Sequence, residues 1–113
     1  MKTSLKILLL VVLTTFFMSC KEDQILKDKT AKEILGNPEY LAMSYGGYRY
    51  ADHSIEPTVD ELKDDMKILY AMGIKIVRTY KVHKPQAANL LQAISELKKD
   101  DPNFEMYVML GAW

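Results

Sequence analysis

The chain has 113 residues, which is enough for one modest domain, and its 49% apolar and 27% charged residues are typical of a globular protein. Lysine plus arginine equals aspartate plus glutamate at 15 each, so no excess of basic charge predicts nucleic-acid binding. The single cysteine excludes an internal disulfide and a tetrahedral zinc site built from cysteines.

The first twenty residues have the organisation of an export signal. A short basic start at residues 1–6 precedes an almost wholly apolar run at residues 7–18, and Ser19 stands before Cys20. That run is too short to span a bilayer of about 30 Å as an ordinary helix. We therefore predict a signal peptide at residues 1–19. Its removal with Lys2 and Lys6 leaves 113 − 19 = 94 residues, with 15 − 2 = 13 basic and 15 acidic side chains, a net charge of −2.

The residues around Cys20 indicate a lipid anchor. Residues 17–20, Phe-Met-Ser-Cys, resemble a bacterial lipobox, in which the thiol after the cut carries diacylglycerol; an ordinary secretory signal with an incidental cysteine is the alternative. Residues 21–23, Lys-Glu-Asp, resemble the signal that sends Bacteroidetes lipoproteins to the outer face of the outer membrane. We expect an outer-membrane lipoprotein exposed at the cell surface, with a periplasm-facing location as second choice. Several acyl chains would hold it there firmly.

Regular structure is predicted to follow a charged tether. Residues 20–34 form this tether, since large apolar residues are few there. The run Tyr40–Tyr45 is short and mostly apolar and ends at Gly46-Gly47, which predicts a buried strand.

A helix is predicted to begin after Thr58. Thr58 and Glu61 have the spacing of a capping box, and Gly73 is placed to adopt the left-handed conformation that ends a helix. Apolar residues recur between them at spacings of four and three, which indicates one buried face: Leu62, Met66, Leu69 and Met72.

A second strand, a second helix and a third strand follow. Ile74–Tyr80 is rich in β-branched residues, and alternation would place Ile74, Ile76, Arg78 and Tyr80 on one face. Pro85 suits the first turn of a helix. The apolar stripe of that helix is Ala87, Leu90, Leu91, Ile94 and Leu97. Glu105–Leu110 is the third strand.

The predicted fold class is therefore α/β, in the order β-α-β-α-β. Strands joined by helical crossovers run parallel, and parallel sheets are normally covered on both faces. Three strands with two helices leave exposed sheet edges, which invite aggregation unless further structure covers them. We expect the sequence to be cut short after its third strand.

Four segments resemble glycoside hydrolase family 17, the β-1,3-glucanase group. Residues 45–49, Tyr-Gly-Gly-Tyr-Arg, are similar to the end of the family's first strand. Residues 71–80, which end in Arg-Thr-Tyr, are similar to its second strand. Residues 86–88 open the next helix, and residues 108–111, Val-Met-Leu-Gly, are similar to the third strand. The resemblance covers about residues 35–113.

The resemblance implies the amino-terminal part of a (β/α)8 barrel, a TIM barrel, at residues 35–113. It implies a lipoprotein fragment of a retaining glycosidase that acts on β-glucan through two glutamates. Those glutamates follow later strands, so no catalytic residue is assigned here and the chain itself is expected to be inactive. Asp52, Glu56 and Glu105 are not assigned to these roles, because the first two lie in a loop and the third begins a strand at the wrong end of the barrel.

The resemblance places part of a substrate cleft at the carboxyl ends of the strands. The candidate substrate-binding residues there are Tyr48, Arg49, Arg78, Tyr80 and Trp113, because aromatic rings pack on sugar rings and arginine donates to hydroxyls or carboxylates. Barrel packing is the alternative for Tyr48 and Tyr80, and a structural ion pair is the alternative for Arg78.

No cofactor or metal is expected. His53 and His83 lie in loops after strands without a placed carboxylate, and loop polarity explains them better than a metal site. Glycine-rich phosphate loops are missing. Two alternatives to a hydrolase fragment stay open: a small surface lipoprotein that binds glycan or a protein partner without catalysis, and a chain without function that arises from a frameshift or premature stop.

Overall fold

The structure is a computed structural model that describes residues 3–4, 6–7, 29–82 and 84–112. Most of the predicted signal peptide lies outside the described residues. So do the predicted lipidation site Cys20, the loop residue His83 and the candidate substrate-binding residue Trp113. The elements are α1 (Ala31–Ile34), β1 (Leu41–Ser44), α2 (Val59–Ala71), β2 (Ile74–Arg78), α3 (Pro85–Asp100) and β3 (Tyr107–Met109).

The three strands form one parallel sheet in the order β1-β2-β3. Each strand is shorter than the apolar run that predicted it, because the runs continue into the loops at the strand ends. The predicted α/β class, the β-α-β-α-β order and the parallel pairing are confirmed.

The short helix α1 lies at the end of the segment that was assigned to the tether, residues 20–34. Glu33 accepts a hydrogen bond from the Thr30 backbone N–H at 2.6 Å, which caps the first turn. Ile34 is buried against Tyr40 and Ile76. The last residues of the predicted tether thus pack on the sheet.

Helix α2 begins as the capping box predicts. Thr58 Oγ1 accepts from the Glu61 backbone N–H at 3.3 Å, and Glu61 accepts from the Thr58 backbone N–H at 2.9 Å. Leu62, Met66 and Leu69 are buried on the predicted face. Met72 was predicted to continue this face and is instead 64% exposed, because the helix ends at Ala71 and the chain turns at the following glycine.

Helix α3 begins with Pro85 in its first turn, as predicted. Its buried side includes Ala87, Leu90, Ile94 and Leu97, all of which belong to the predicted stripe. The assignment of Leu91 to that stripe is wrong, since Leu91 is 45% exposed. Leu91 instead lies on the exposed side of the helix with Ala88 and Ser95, three residues before it and four residues after it.

A register irregularity decides which side chains of β2 share a face. Leu41 pairs with Ile74, whereas Ala42 pairs with Ile76, so β2 holds one extra residue between them. Ile74 therefore packs with the helices, and Ile76 packs on the opposite face with Tyr40. The prediction from simple alternation, which placed both isoleucines on one face, is wrong.

The core lies between the sheet and the two long helices. The largest fully buried apolar side chains in it are Leu62, Met66, Val77, Leu90 and Met106. Burial of each such side chain contributes about 1.5–3 kcal/mol, so this layer is the main source of stability.

A charged cluster that we call the Glu105 network links residues at the amino ends of the three strands. The four partners of the carboxylate, at 2.9–3.1 Å, are Tyr40, Tyr107, Lys29 and Lys75. Partial burial alone would raise the pKa of Glu105, but these hydrogen bonds outweigh it and lower the pKa to about 2. Glu105 therefore stays ionised and lies at the edge of the sheet opposite to the predicted cleft.

Candidate functional site

The carboxyl ends of β2 and β3 approach each other closely. Thr79 is buried, its backbone N–H donates to the Met109 carbonyl at 3.0 Å, and its Oγ1 accepts from the Gly111 backbone N–H at 3.0 Å. A Cβ at Gly111 would collide with the carbonyl oxygens of Thr79 and Tyr80. Only glycine therefore fits where the chain leaves β3.

An open cavity of about 610 Å³ lies at this carboxyl edge, and we call it the aromatic cavity. The loops after β1 and β2 and the first turn of α3 provide its lining. The lining residues are Gly46, Gly47, Tyr48, His53, Tyr80, Lys81, Lys84 and Gln86. Two of the predicted substrate-binding residues, Tyr48 and Tyr80, thus come together here, and none of the described lining residues is acidic.

Tyr48 and His53 form a stacked pair in one wall of the aromatic cavity. Their ring centroids are 4.3 Å apart with an interplanar angle of 15°. Burial raises the pKa of the Tyr48 hydroxyl, and the nearby Glu56 carboxylate raises it further, so the hydroxyl stays protonated. Tyr80 is 56% exposed in the same cavity. The two tyrosines and the histidine give this edge the flat ring surfaces that sugar rings pack against.

Arg49 lies away from the aromatic cavity, in a group that we call the Asp65 network. Its guanidinium donates to both carboxylate oxygens of Asp65, at 2.8 and 2.9 Å, and to the backbone carbonyls of Gly47 and Glu61. The Tyr45 hydroxyl donates to the same carboxylate at 2.5 Å. The hydrogen bond to Asp65 is the main cause that raises the pKa of Arg49. Arg49 thus ties the loop after β1 to α2.

Gly47 makes this arrangement possible. Its φ of +72° is in the left-handed region, and a Cβ there would lie 2.6 Å from Tyr45 Oη and 2.8 Å from Leu62 Cδ2. The chain at Gly47 therefore runs close over the core and brings Tyr48 to the aromatic cavity on one side and Arg49 to Asp65 on the other.

Arg78 is exposed at the end of β2, where it pairs in register with Ser44 and Met109. Its guanidinium has no ion pair or hydrogen bond with any residue in the described ranges, so the structural ion pair considered as an alternative is not formed within them. Arg78 is not part of the lining of the aromatic cavity.

Two polar side chains near the cavity have buried atoms without a partner among the described residues: Glu56 Oε2 and Gln86 Nε2. Glu56 Oε1 lies 3.8 Å from the Lys84 ammonium group. Gln86 is only 4% exposed. Gln86 was not among the predicted site residues, because a glutamine in the first turn of a helix is ordinarily a surface residue.

The residues that the structure describes contain no group of three or more histidine, cysteine, aspartate or glutamate side chains placed to hold a metal. Among the same residues, no helix is long and apolar enough to cross a membrane.

The described residues thus form a parallel α/β unit with an aromatic cavity at the carboxyl ends of its strands. No protein-family model matches the sequence, and no curated protein matches it. A solved structure does: an endo-laminarinase from Formosa Hel1_33_131 is 59% identical, with a TM-score of 0.74. The match covers 75% of this chain and 22% of the laminarinase chain. The chain thus spans about a fifth of the length of that protein. The similar segment makes up 75% of this chain.

Proposed function

We propose that this chain forms the β1–β3 side of the substrate cleft of a β-1,3-glucanase of the glycoside hydrolase family 17 type, with a (β/α)8 barrel. The observation that carries the proposal is the aromatic cavity at the carboxyl edge of a parallel sheet. It is supported by the similarity to part of an endo-laminarinase. Carboxyl ends of strands form the active face of such barrels.

The cavity provides what a neutral sugar chain needs for binding. The Tyr48–His53 pair and Tyr80 present apolar ring faces, and Lys84 presents N–H donors beside them. Arg78 ends β2, two residues before Tyr80, and its guanidinium has no partner among the described residues, so we propose that it donates to hydroxyls or to a carboxylate of the cleft. We assign glucan contact to Tyr48, Tyr80 and Arg78, and we assign the support of the loop to Arg49. The contact expected for Trp113 lies outside the described residues and stays a prediction.

The proposed reaction is double displacement with retention, and this chain does not carry it out alone. A retaining glycosidase needs two carboxyl groups about 5–5.5 Å apart across the scissile bond. None of the described residues that line the aromatic cavity is acidic. Glu105 is held by four partners at the other end of the sheet. The glutamates are therefore proposed to come from later strands, as the family resemblance implies.

A second candidate function is glycan binding without catalysis, by a lipoprotein at the cell surface. The described residues of the cavity lining favour it, because none of them is acidic and stacking and hydrogen bonding alone hold a sugar. In both cases we propose that Cys20 carries the lipid and holds the chain at the outer membrane, and that β-glucan is the ligand.

Calorimetric titration of the full-length chain in detergent micelles with laminarihexaose, a β-1,3-linked glucose hexasaccharide, tests glucan binding. We expect binding by the wild type and an affinity loss of about three- to tenfold for Tyr48→Ala, because one stacking surface is removed. Tyr50→Ala is the matched control, since Tyr50 is 59% exposed and is not in the lining of the cavity. Failure of the wild type to bind, or an equal loss for both variants, would contradict the proposal.

A further inference from the structure

The three amide side chains on α3 have different hydrogen-bonding states. Asn89 donates to the Pro57 carbonyl at 3.0 Å, and Gln92 donates to Glu96 Oε1 at 2.9 Å. Gln86 Nε2 has no partner among the described residues, although Gln86 is the most buried of the three. A buried donor without an acceptor is unfavourable, and native proteins retain few such groups.

The position of Gln86 indicates which kind of ligand its side-chain amide could bind. Gln86 lies in the first turn of α3 and lines the aromatic cavity together with the Tyr48–His53 pair and Tyr80. Its Nε2 is buried and has no hydrogen-bond partner among the described residues, so the amide must turn into the cavity to reach a ligand there. A neutral amide donor beside ring faces suits a hydroxyl oxygen of a sugar, which accepts one hydrogen bond while its ring packs on the aromatic wall.

We propose that Gln86 is a specificity-determining residue that donates a hydrogen bond from Nε2 to a hydroxyl of a glucosyl residue seated on the Tyr48–His53 pair. This inference depends on the proposed function, because it names the group that recognises the sugar in that same cavity. A site with a buried, otherwise unpaired donor discriminates against ligands that lack the matching acceptor.

Gln86→Met tests the inference, because methionine preserves the length and volume of the side chain and removes the amide. Laminarihexaose is titrated into the full-length wild type, Gln86→Met and the control Gln92→Met, whose side chain lies on the exposed side of the same helix. We expect Gln86→Met to bind about tenfold more weakly and Gln92→Met to stay within about twofold of wild type. The melting temperature of Gln86→Met should be unchanged or higher, because an unpaired buried donor is removed.

The outcomes separate the two proposals. If the wild type binds and Gln86→Met binds within about twofold of it, the role of Gln86 is overturned and the proposed function stands. If the wild type does not bind, the proposed function fails and the inference fails with it. A Gln86→Met chain that loses affinity together with melting temperature indicates a merely structural role and overturns the inference.

A measurement on the wild type alone keeps the inference falsifiable if Gln86→Met does not fold. The side-chain amide protons of Gln86 are followed by NMR while laminarihexaose is added. A downfield shift at saturation supports a new hydrogen bond to Nε2. Unchanged amide protons at saturation overturn it.

Discussion

Gly47→Ala is expected to destabilise the chain through the loop that carries Tyr48 and Arg49. The left-handed conformation at φ +72° disfavours any residue with a Cβ by about 1–2 kcal/mol. The added Cβ would lie 2.6 Å from Tyr45 Oη and 2.8 Å from Leu62 Cδ2, and Tyr45 and Leu62 are both buried. Overpacking of this kind adds about 1–3 kcal/mol, so the total loss in the free energy of unfolding is about 2–5 kcal/mol.

Gly36→Ala is the matched control, since Gly36 has a similar φ of +79° and a Cβ there would meet nothing within 4 Å. The free energy of unfolding of Gly36→Ala should fall only by the conformational cost of about 1–2 kcal/mol. The lower conformational entropy of the unfolded alanine variant partly offsets this loss. Urea unfolding of both full-length variants, followed by far-UV circular dichroism, measures the difference. Equal losses for Gly47→Ala and Gly36→Ala would refute the close packing of this loop on the core.

Three further predictions concern the ion pair of Asp65, the ion pairs of Glu105 and the lipid anchor at Cys20. Asp65→Asn should lose about 1–2 kcal/mol of unfolding free energy, because Arg49 loses a bidentate partner, whereas Asp64→Asn at an exposed pair should change little; urea unfolding measures both. The stability that Glu105 contributes is complete above its ordinary pKa of 4.5 and is lost as the pH falls toward 2, so acid titration of Glu105→Gln should be flatter there than that of wild type. Cys20→Ser should abolish incorporation of labelled fatty acid and release the chain from the membrane fraction; retained label would contradict lipidation.

The local signals in the sequence predicted the elements whose causes are local. The Thr58–Glu61 capping box and the glycine at position 73 define the ends of α2, because each acts within one helical turn. Pro85 likewise marks the start of α3. The spacing of Leu62, Met66 and Leu69 identified the buried face of α2 since a helix repeats every 3.6 residues.

These local signals do not predict structural features that depend on residues far apart in the sequence. The extra residue in β2 depends on its pairing with β1, so alternation alone misplaced Ile74 relative to Ile76. Helix α1 is too short to show a periodicity, and its only buried residue, Ile34, gains its burial from the sheet.

In the candidate site, too, some features were predictable from local sequence and others depend on distant residues. Tyr48 and Tyr80 were predictable, because aromatic residues that follow parallel strands gather at one edge. Arg49 was also predicted to contact substrate, and this contact stays a prediction. The position of its guanidinium is determined by Asp65 on α2, 16 residues further along the chain, which no local signal indicates. The state of the Gln86 amide depends on which acceptors surround it, and no pattern in the sequence records that.

NMR mapping tests most directly whether the carboxyl ends of these strands bind β-1,3-glucan. The isotope-labelled full-length chain is titrated with laminarihexaose, and backbone amide shifts are followed. We expect shifts concentrated at residues 46–48, at His53 and Tyr80, and at residues 84–86, with little change in the Glu105 network. Shifts centred on that network, or no shifts at saturating sugar, would contradict this expectation.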